Sequence, residues 1–167
     1  GKKRVRNTPI CESSIIEVAM GLSICNRKSI VELQFSDFIS SGFNPVVNYL
    51  AKIHYRWGQN ADIVLRMPCG GGVGAGPFHS QTNEAWFTKT AGLIVVYPAF
   101  PDDAKGLLIS SIENPNPVMF FEHKALYRSI RGNVPKGYYN IKIGKAKLIK
   151  NGNKISIITY GLGVHEA

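Results

Sequence analysis

The apolar positions of this chain recur at two spacings that take turns along its length. Residues 12–24 place Ile15, Ile16, Ala19, Met20 and Leu22 at helical intervals, which predicts an amphipathic helix, and 29–34 follows as a strand. Residues 44–57 predict a second helix, with Pro45 in its first turn where a missing amide hydrogen costs nothing. The runs at 62–66, 93–96 and 117–121 are short, continuous and apolar, as strands buried on both faces are, and 102–112 predicts a helix between the last two. Such alternation predicts an α/β protein, a three-layer α/β/α sandwich around a mostly parallel sheet. Past Glu122 the character changes. Residues 122–144, rich in Tyr, Arg and Gly, predict a loop. Asn151-Gly152 between the apolar runs 145–149 and 154–158 predicts a C-terminal hairpin over 145–159.

Composition narrows the class. At 167 residues, 44% hydrophobic and 19% charged, the chain suits one globular domain, spanning 1–167, and not a disordered segment. No apolar run reaches the roughly 20 residues of a membrane helix, so no membrane partner is expected. The chain starts without methionine just ahead of the first helix and stops just after a strand, as a domain cut at both ends from a longer protein would. Cys11, Cys25 and Cys69 lack paired metal-ligand spacing and are expected to be reduced packing residues of an intracellular protein. The net charge of +9 raises the question of polyanions. Its basic residues gather at 2–6 and 136–154 with few aromatics between them and no recognition motif, so a solvated face or an acidic partner is expected, and no nucleic acid.

The densest signal is the stretch 66–81, where five of the seven residues from Gly70 to Gly76 are glycine and His79, Ser80 and Gln81 follow closely. Glycine sacrifices packing and backbone entropy, so such a cluster marks a flexible loop or a place where a ligand, partner or backbone segment comes near. It follows a predicted strand, and open α/β sheets bind ligands at the carboxyl ends of their strands. No Gly-Lys-Ser or Gly-Lys-Thr follows, which excludes a P-loop. Pro77 and the polar residues after it deny a dinucleotide fingerprint its immediate helix.

Five segments in order carry a family resemblance: Thr8-Pro-Ile-Cys-Glu12, Glu32-Leu-Gln-Phe-Ser-Asp-Phe38, residues 66–81, Asp103-Ala-Lys-Gly-Leu107 and Asn114-Pro-Asn-Pro-Val-Met-Phe-Phe-Glu122. Together they resemble the pyrimidine-binding, transketolase-like domain in the beta subunit of thiamine-diphosphate-dependent 2-oxo acid dehydrogenases. Gln34-Phe-Ser-Asp-Phe38 and Pro115-Asn-Pro-Val-Met-Phe-Phe121 look more like the branched-chain (2-oxoisovalerate) enzymes than the pyruvate enzymes. The family's C-terminal domain is not represented.

The resemblance implies roles for individual residues. Glu12 matches the glutamate that hydrogen-bonds a ring nitrogen of the aminopyrimidine and favours its imino tautomer, which deprotonates the thiazolium carbon. On sequence grounds alone Glu12 reads as a first-turn acid complementing the helix dipole. Phe38 matches the aromatic residue packed against the pyrimidine, and otherwise reads as core. His79 matches the histidine that donates a proton or orients the acyl group on its way to lipoamide, a task suited to a pKa near neutrality. His54, His123 and His165 receive no role. The backbone carbonyls of Ile63, Ser111, Asn114 and Asn116 match a structural potassium site, although Asn114 stands where the family often has aspartate, and the Asn-Pro-Asn-Pro run also reads as a plain turn. No Gly-Asp-Gly occurs, the motif with which the family holds magnesium and diphosphate.

The implied partners are therefore an alpha subunit or fused alpha-like domain that holds magnesium, a second beta copy and a lipoyl-bearing acyltransferase core, with a 2-oxo acid as substrate. The isolated domain is expected to be inactive, and the family setting is the bacterial cytoplasm or the mitochondrial matrix. A pyruvate-type enzyme, a basic phosphate- or nucleic-acid-binding module and an oligomerisation domain remain the alternatives.

Overall fold

A computed structural model describes all 167 residues. Its centre is a four-stranded, wholly parallel sheet of β1 (Ser29–Glu32), β2 (Ile63–Cys69), β3 (Ile94–Val96) and β4 (Val118–His123), in the spatial order β1-β2-β4-β3. Around it lie α1 (Glu12–Ile24), α2 (Ile53–Trp57), α3 (Ala85–Thr88), α4 (Pro101–Glu113), α5 (Leu126–Ser129) and α6 (Gly163–Glu166). No helix is long and apolar enough to cross a membrane.

The pleat sorts the central strands between two apolar layers. Ile63, Leu65, Met67 and Cys69 of β2, with Met119 and Phe121 of β4, pack in one cluster with Ile16 and Ala19 of α1 and with Ile39 and Leu50. Val64, Val118 and Phe120 face the other way, towards Leu107, Leu108 and Ile112 of α4. These two layers make the expected α/β/α sandwich. Arg66 ties three strands together: its fork grips Glu122 at 2.8 and 2.9 Å while Nη1 reaches Glu32 at 2.8 Å, and the Tyr127 hydroxyl closes the set by donating to Glu122 at 2.5 Å.

Three elements differ from their expected form. The helix expected over 44–57 is split into a wide π-type turn at Pro45–Leu50 and the short α2. The break falls at Ala51, whose carbonyl oxygen would lie 1.9 Å from a Cβ on Gly92, so these backbones touch only because Gly92 has none. The region expected as a loop over 122–144 begins with the end of β4 and contains α5.

The hairpin expected over 145–159 does not form, because residues 145–158 contain no strand. Leu148, Ile155 and Ile158 are exposed, so the apolar alternation there has no layer to face, and a two-stranded ribbon without one is marginal in water. The stretch before it packs instead along α4. The Lys105 ammonium donates to the carbonyls of Pro135 and Gly137, both at 2.7 Å, and the Ile141 amide to Ser110 Oγ at 3.0 Å.

Of the cysteines, only Cys69 is a packing residue, while Cys11 and Cys25 lie on the surface with free thiols. Cys69 Sγ donates to the Tyr97 hydroxyl at 3.0 Å, and burial pushes its pKa up to about 12. A thiolate reagent near neutral pH is therefore expected to label Cys11 and Cys25 in the native chain and Cys69 only after denaturation. Mass spectrometry of the labelled peptides checks this, and native labelling of Cys69 would contradict it.

Candidate active site

Strand direction places the chemistry at one end of the sheet. Each of β1 and β2 delivers a loop at its carboxyl end, and α1 begins beside the first of these loops. After β1 the chain winds into a 3₁₀ turn, Ser36–Gly42, which carries Phe38 and Ser41. The Ser41 hydroxyl donates to Glu12 Oε2 at 2.8 Å and lies 3.0 Å from the Phe38 carbonyl, while Ser13 Oγ donates to the Ser41 carbonyl at 2.5 Å. Gly42 allows the approach: a Cβ there would meet Ile16 Cδ1 at 2.5 Å and the Glu12 carbonyl at 3.5 Å. The first turn of α1 is thus stitched to the turn that bears Phe38.

The glycine loop after β2 closes on itself and on the same turn. The Gly70 amide donates to the Gln81 carbonyl at 2.9 Å, the Gln81 amide to Asp37 Oδ1 at 3.1 Å, and Asn83 Nδ2 to the Ser36 carbonyl at 2.9 Å. These bonds bring His79 between two rings. Its imidazole stands edge to face with Phe35 at 4.8 Å and Phe38 at 5.6 Å, and the two phenylalanines are 5.7 Å apart. Lys124, just past β4, donates to the His79 carbonyl at 2.8 Å and lies 5.1 Å from the Phe35 ring centre. Burial lowers the pKa of this lysine.

Glu12, Phe38 and His79 therefore meet around one short turn, and all three are half-buried, within reach of a ligand. Glu12 accepts from Ser41 through one carboxylate oxygen, and Phe38 supplies a flat apolar face. Such a set fits an aminopyrimidine, which asks for one carboxyl and one stacking surface. Phe35, Ser41, Asp37 and Lys124 belong to the same assembly and were missed by sequence reasoning. Phe35 and Asp37 lay inside a segment already singled out, whereas Ser41 and Lys124 had no local signal.

Only one glycine of the run is there for close packing. A Cβ on Gly70 would lie 2.1 Å from His123 Nε2, whereas Gly74 and Gly76 have nothing within 4 Å. Positive φ explains those open positions: 73° at Gly74 and 71° at Gly76, conformations that side chains resist. His123 is a buried residue of β4, its pKa lowered by burial and by Lys124, and its Nδ1 accepts from the Ala125 amide at 3.3 Å. His54 is exposed, and His165 Nε2 lies 2.7 Å from the Ala99 carbonyl.

The candidate potassium ligands lie at the other end. Ile63 opens β2, and Ser111, Asn114 and Asn116 surround the passage from α4 into β4. Six steps along β2 separate the two ends, on the order of 20 Å.

The sequence profile of the transketolase pyrimidine-binding domain matches residues 1–129. The beta subunit of 2-oxoisovalerate dehydrogenase from Bacillus subtilis (strain 168) is 45% identical over the whole of this chain and 52% of its own length. The beta subunit of the pyruvate dehydrogenase E1 component from Staphylococcus aureus (strain Mu50 / ATCC 700699) is 44% identical over the same shares. The mitochondrial 2-oxoisovalerate dehydrogenase beta subunit from Dictyostelium discoideum is 44% identical over 96% of this chain and 44% of its own length. The chain thus spans about half the length of these relatives. With a profile covering most of its residues, a parallel α/β sheet, and Glu12, Phe38 and His79 gathered at the carboxyl end of that sheet, the chain belongs to the transketolase pyrimidine-binding-domain family.

Proposed function

We propose that this chain supplies the pyrimidine-binding half of the active site of a 2-oxo acid dehydrogenase of the branched-chain, 2-oxoisovalerate type. The observation that carries the reading is the meeting of Glu12, Phe38 and His79 around the 3₁₀ turn after β1. Thiamine diphosphate, when bound, supplies the nucleophilic carbon and the electron sink for loss of carbon dioxide from a 2-oxo acid. Glu12 holds or delivers a proton at the aminopyrimidine ring nitrogen, oriented by the Ser41 hydroxyl. Phe38 fixes the ring by contact. His79, boxed by Phe35 and Phe38 and anchored through its carbonyl by Lys124, presents an imidazole for proton transfer as the acyl group leaves for a lipoyl-lysine.

Magnesium and the diphosphate are assigned to an alpha subunit or alpha-like domain, since no Gly-Asp-Gly occurs here. A second beta copy and a lipoyl-bearing core complete the assembly. A pyruvate-type substrate is the second reading, favoured by the 44% identity to the Staphylococcus aureus subunit.

Calorimetric titration tests the half-site. The full-length subunit alone is expected to give no heat with thiamine diphosphate and magnesium. Mixed with its diphosphate-binding partner, it is expected to bind the cofactor and release carbon dioxide faster from 3-methyl-2-oxobutanoate than from pyruvate. Tight cofactor binding by the subunit alone would refute the shared site, and a preference for pyruvate would select the second reading.

A further inference from the structure

At the end of the sheet remote from Glu12, three oxygens from distant parts of the chain converge on one ammonium group. Lys28, the residue before β1, donates through Nζ to the carbonyls of Ile112 and Asn114, the latter at 3.1 Å. The same nitrogen lies 3.2 Å from Asp62 Oδ2. Ile112 and Asn114 belong to the last turn and C-cap of α4, where carbonyls lack intrahelical partners and the helix dipole is negative. That last turn has no basic residue of its own. Asp62 is itself held in place, because Ser23 Oγ donates to its Oδ1 at 2.5 Å and its amide donates back to Ser23 Oγ at 2.9 Å.

We infer that the Lys28 ammonium is a tethered monovalent cation that takes the place of the potassium ion which the family resemblance puts at this end of the sheet. Asn114 is the point of conflict. Its carbonyl is one of the four oxygens expected to bind the metal, and it already accepts from Lys28. An ion at coordination distance from that oxygen would sit beside a positive charge, in a partly buried setting where repulsion is poorly screened. The Asn114 side chain is also committed, since Oδ1 accepts from the Asn116 amide at 2.9 Å and from Asn116 Nδ2 at 3.0 Å. At this position asparagine brings no negative charge for a metal. The carboxylate of the cluster is Asp62, and Lys28 neutralises it. The ammonium thus does what a bound ion would do, bridging the α4 C-terminus to the start of β2, without depending on the salt in the medium.

Thermal unfolding of the full-length subunit at matched ionic strength in potassium, sodium and choline chloride tests this. The unaltered protein is expected to unfold at one temperature in all three salts. Lys28→Met is expected to lose on the order of 5 °C in choline chloride, and rising potassium chloride should recover at least half of that loss along a saturating curve. Three results would overturn the inference: saturable, potassium-specific stabilisation of the unaltered protein, a Lys28→Met variant indistinguishable from it in every salt, or a loss that potassium does not recover. Should Lys28→Met fail to fold, the salt series on the unaltered protein still decides, together with Asp62→Asn, which removes the carboxylate and is expected to fold without acquiring any potassium dependence.

Discussion

Glu12→Gln, in the full-length subunit assembled with its diphosphate-binding partner, is expected to cut turnover by about 100-fold or more, because it removes a titratable carboxyl from the position proposed for proton transfer. Stability should hardly move. Glutamine keeps the length of the side chain and an amide oxygen that can accept from Ser41 Oγ, the one hydrogen bond that Glu12 makes through its carboxylate. A shift within about 0.5 kcal/mol is expected for such a half-exposed replacement. Steady-state turnover and a denaturant melt on the same preparation separate the two effects. Unchanged turnover would discard the proposed role of Glu12, and parallel loss of activity and stability would make it a structural residue of the α1 first turn.

The second large effect is expected at the start of the glycine run. Gly70→Ala asks a side chain to adopt a φ of 82° and to share space with the His123 imidazole 2.1 Å away. Left-handed backbone costs an L-residue about 1–2 kcal/mol, and overpacking a filled site adds about 1–3 kcal/mol. His123 has little room to yield, being buried in β4 with Nδ1 bonded to the Ala125 amide. Gly74→Ala serves as the comparison, because its φ is 73° with nothing within 4 Å, leaving only the backbone share of about 1–2 kcal/mol. Chemical denaturation of the two variants should therefore differ by at least about 1 kcal/mol, with Gly70→Ala the weaker. Equal losses would show that His123 does not select the glycine.

These two sites also mark how far local sequence can be read. Glu12, Phe38 and His79 were legible as individuals, through the motifs around them, and their meeting depends on strand order. Parallel strands put the ends of β1 and β2 side by side, so residues 12, 38 and 79 become neighbours although dozens of positions separate them. Ser41 and Lys124 had no such signal, because each acts through contacts with groups from other parts of the chain, Glu12 and Ser13 for the serine and His79 and Phe35 for the lysine. The glycine run was legible as an unusual backbone. Which glycine answers to packing and which to φ depended on where His123 lies in the neighbouring strand, opposite Cys69 in the register.

Residues 145–159 show the opposite failure. Alternation and an Asn-Gly pair are real hairpin signals, yet they describe a strand's faces without naming the layer that buries them. With no layer available, Ile158 stands 97% exposed and no ladder forms. The helix expected over 44–57 failed for a different reason, since its break falls where Ala51 meets Gly92.

By itself, the order of residues determined the helices at α1 and α4, the buried strands β2 and β4 and the α/β class, because a helix repeats its buried face every 3.6 residues and a strand buried on both faces leaves a short continuous apolar run, while the family was carried by the resemblance of five ordered motifs. Tertiary structure alone decided which residues surround His79, why Gly70 must be glycine and where the Lys28 charge rests. Those outcomes are contacts between groups up to 86 positions apart, and such contacts have no period for a linear pattern to record.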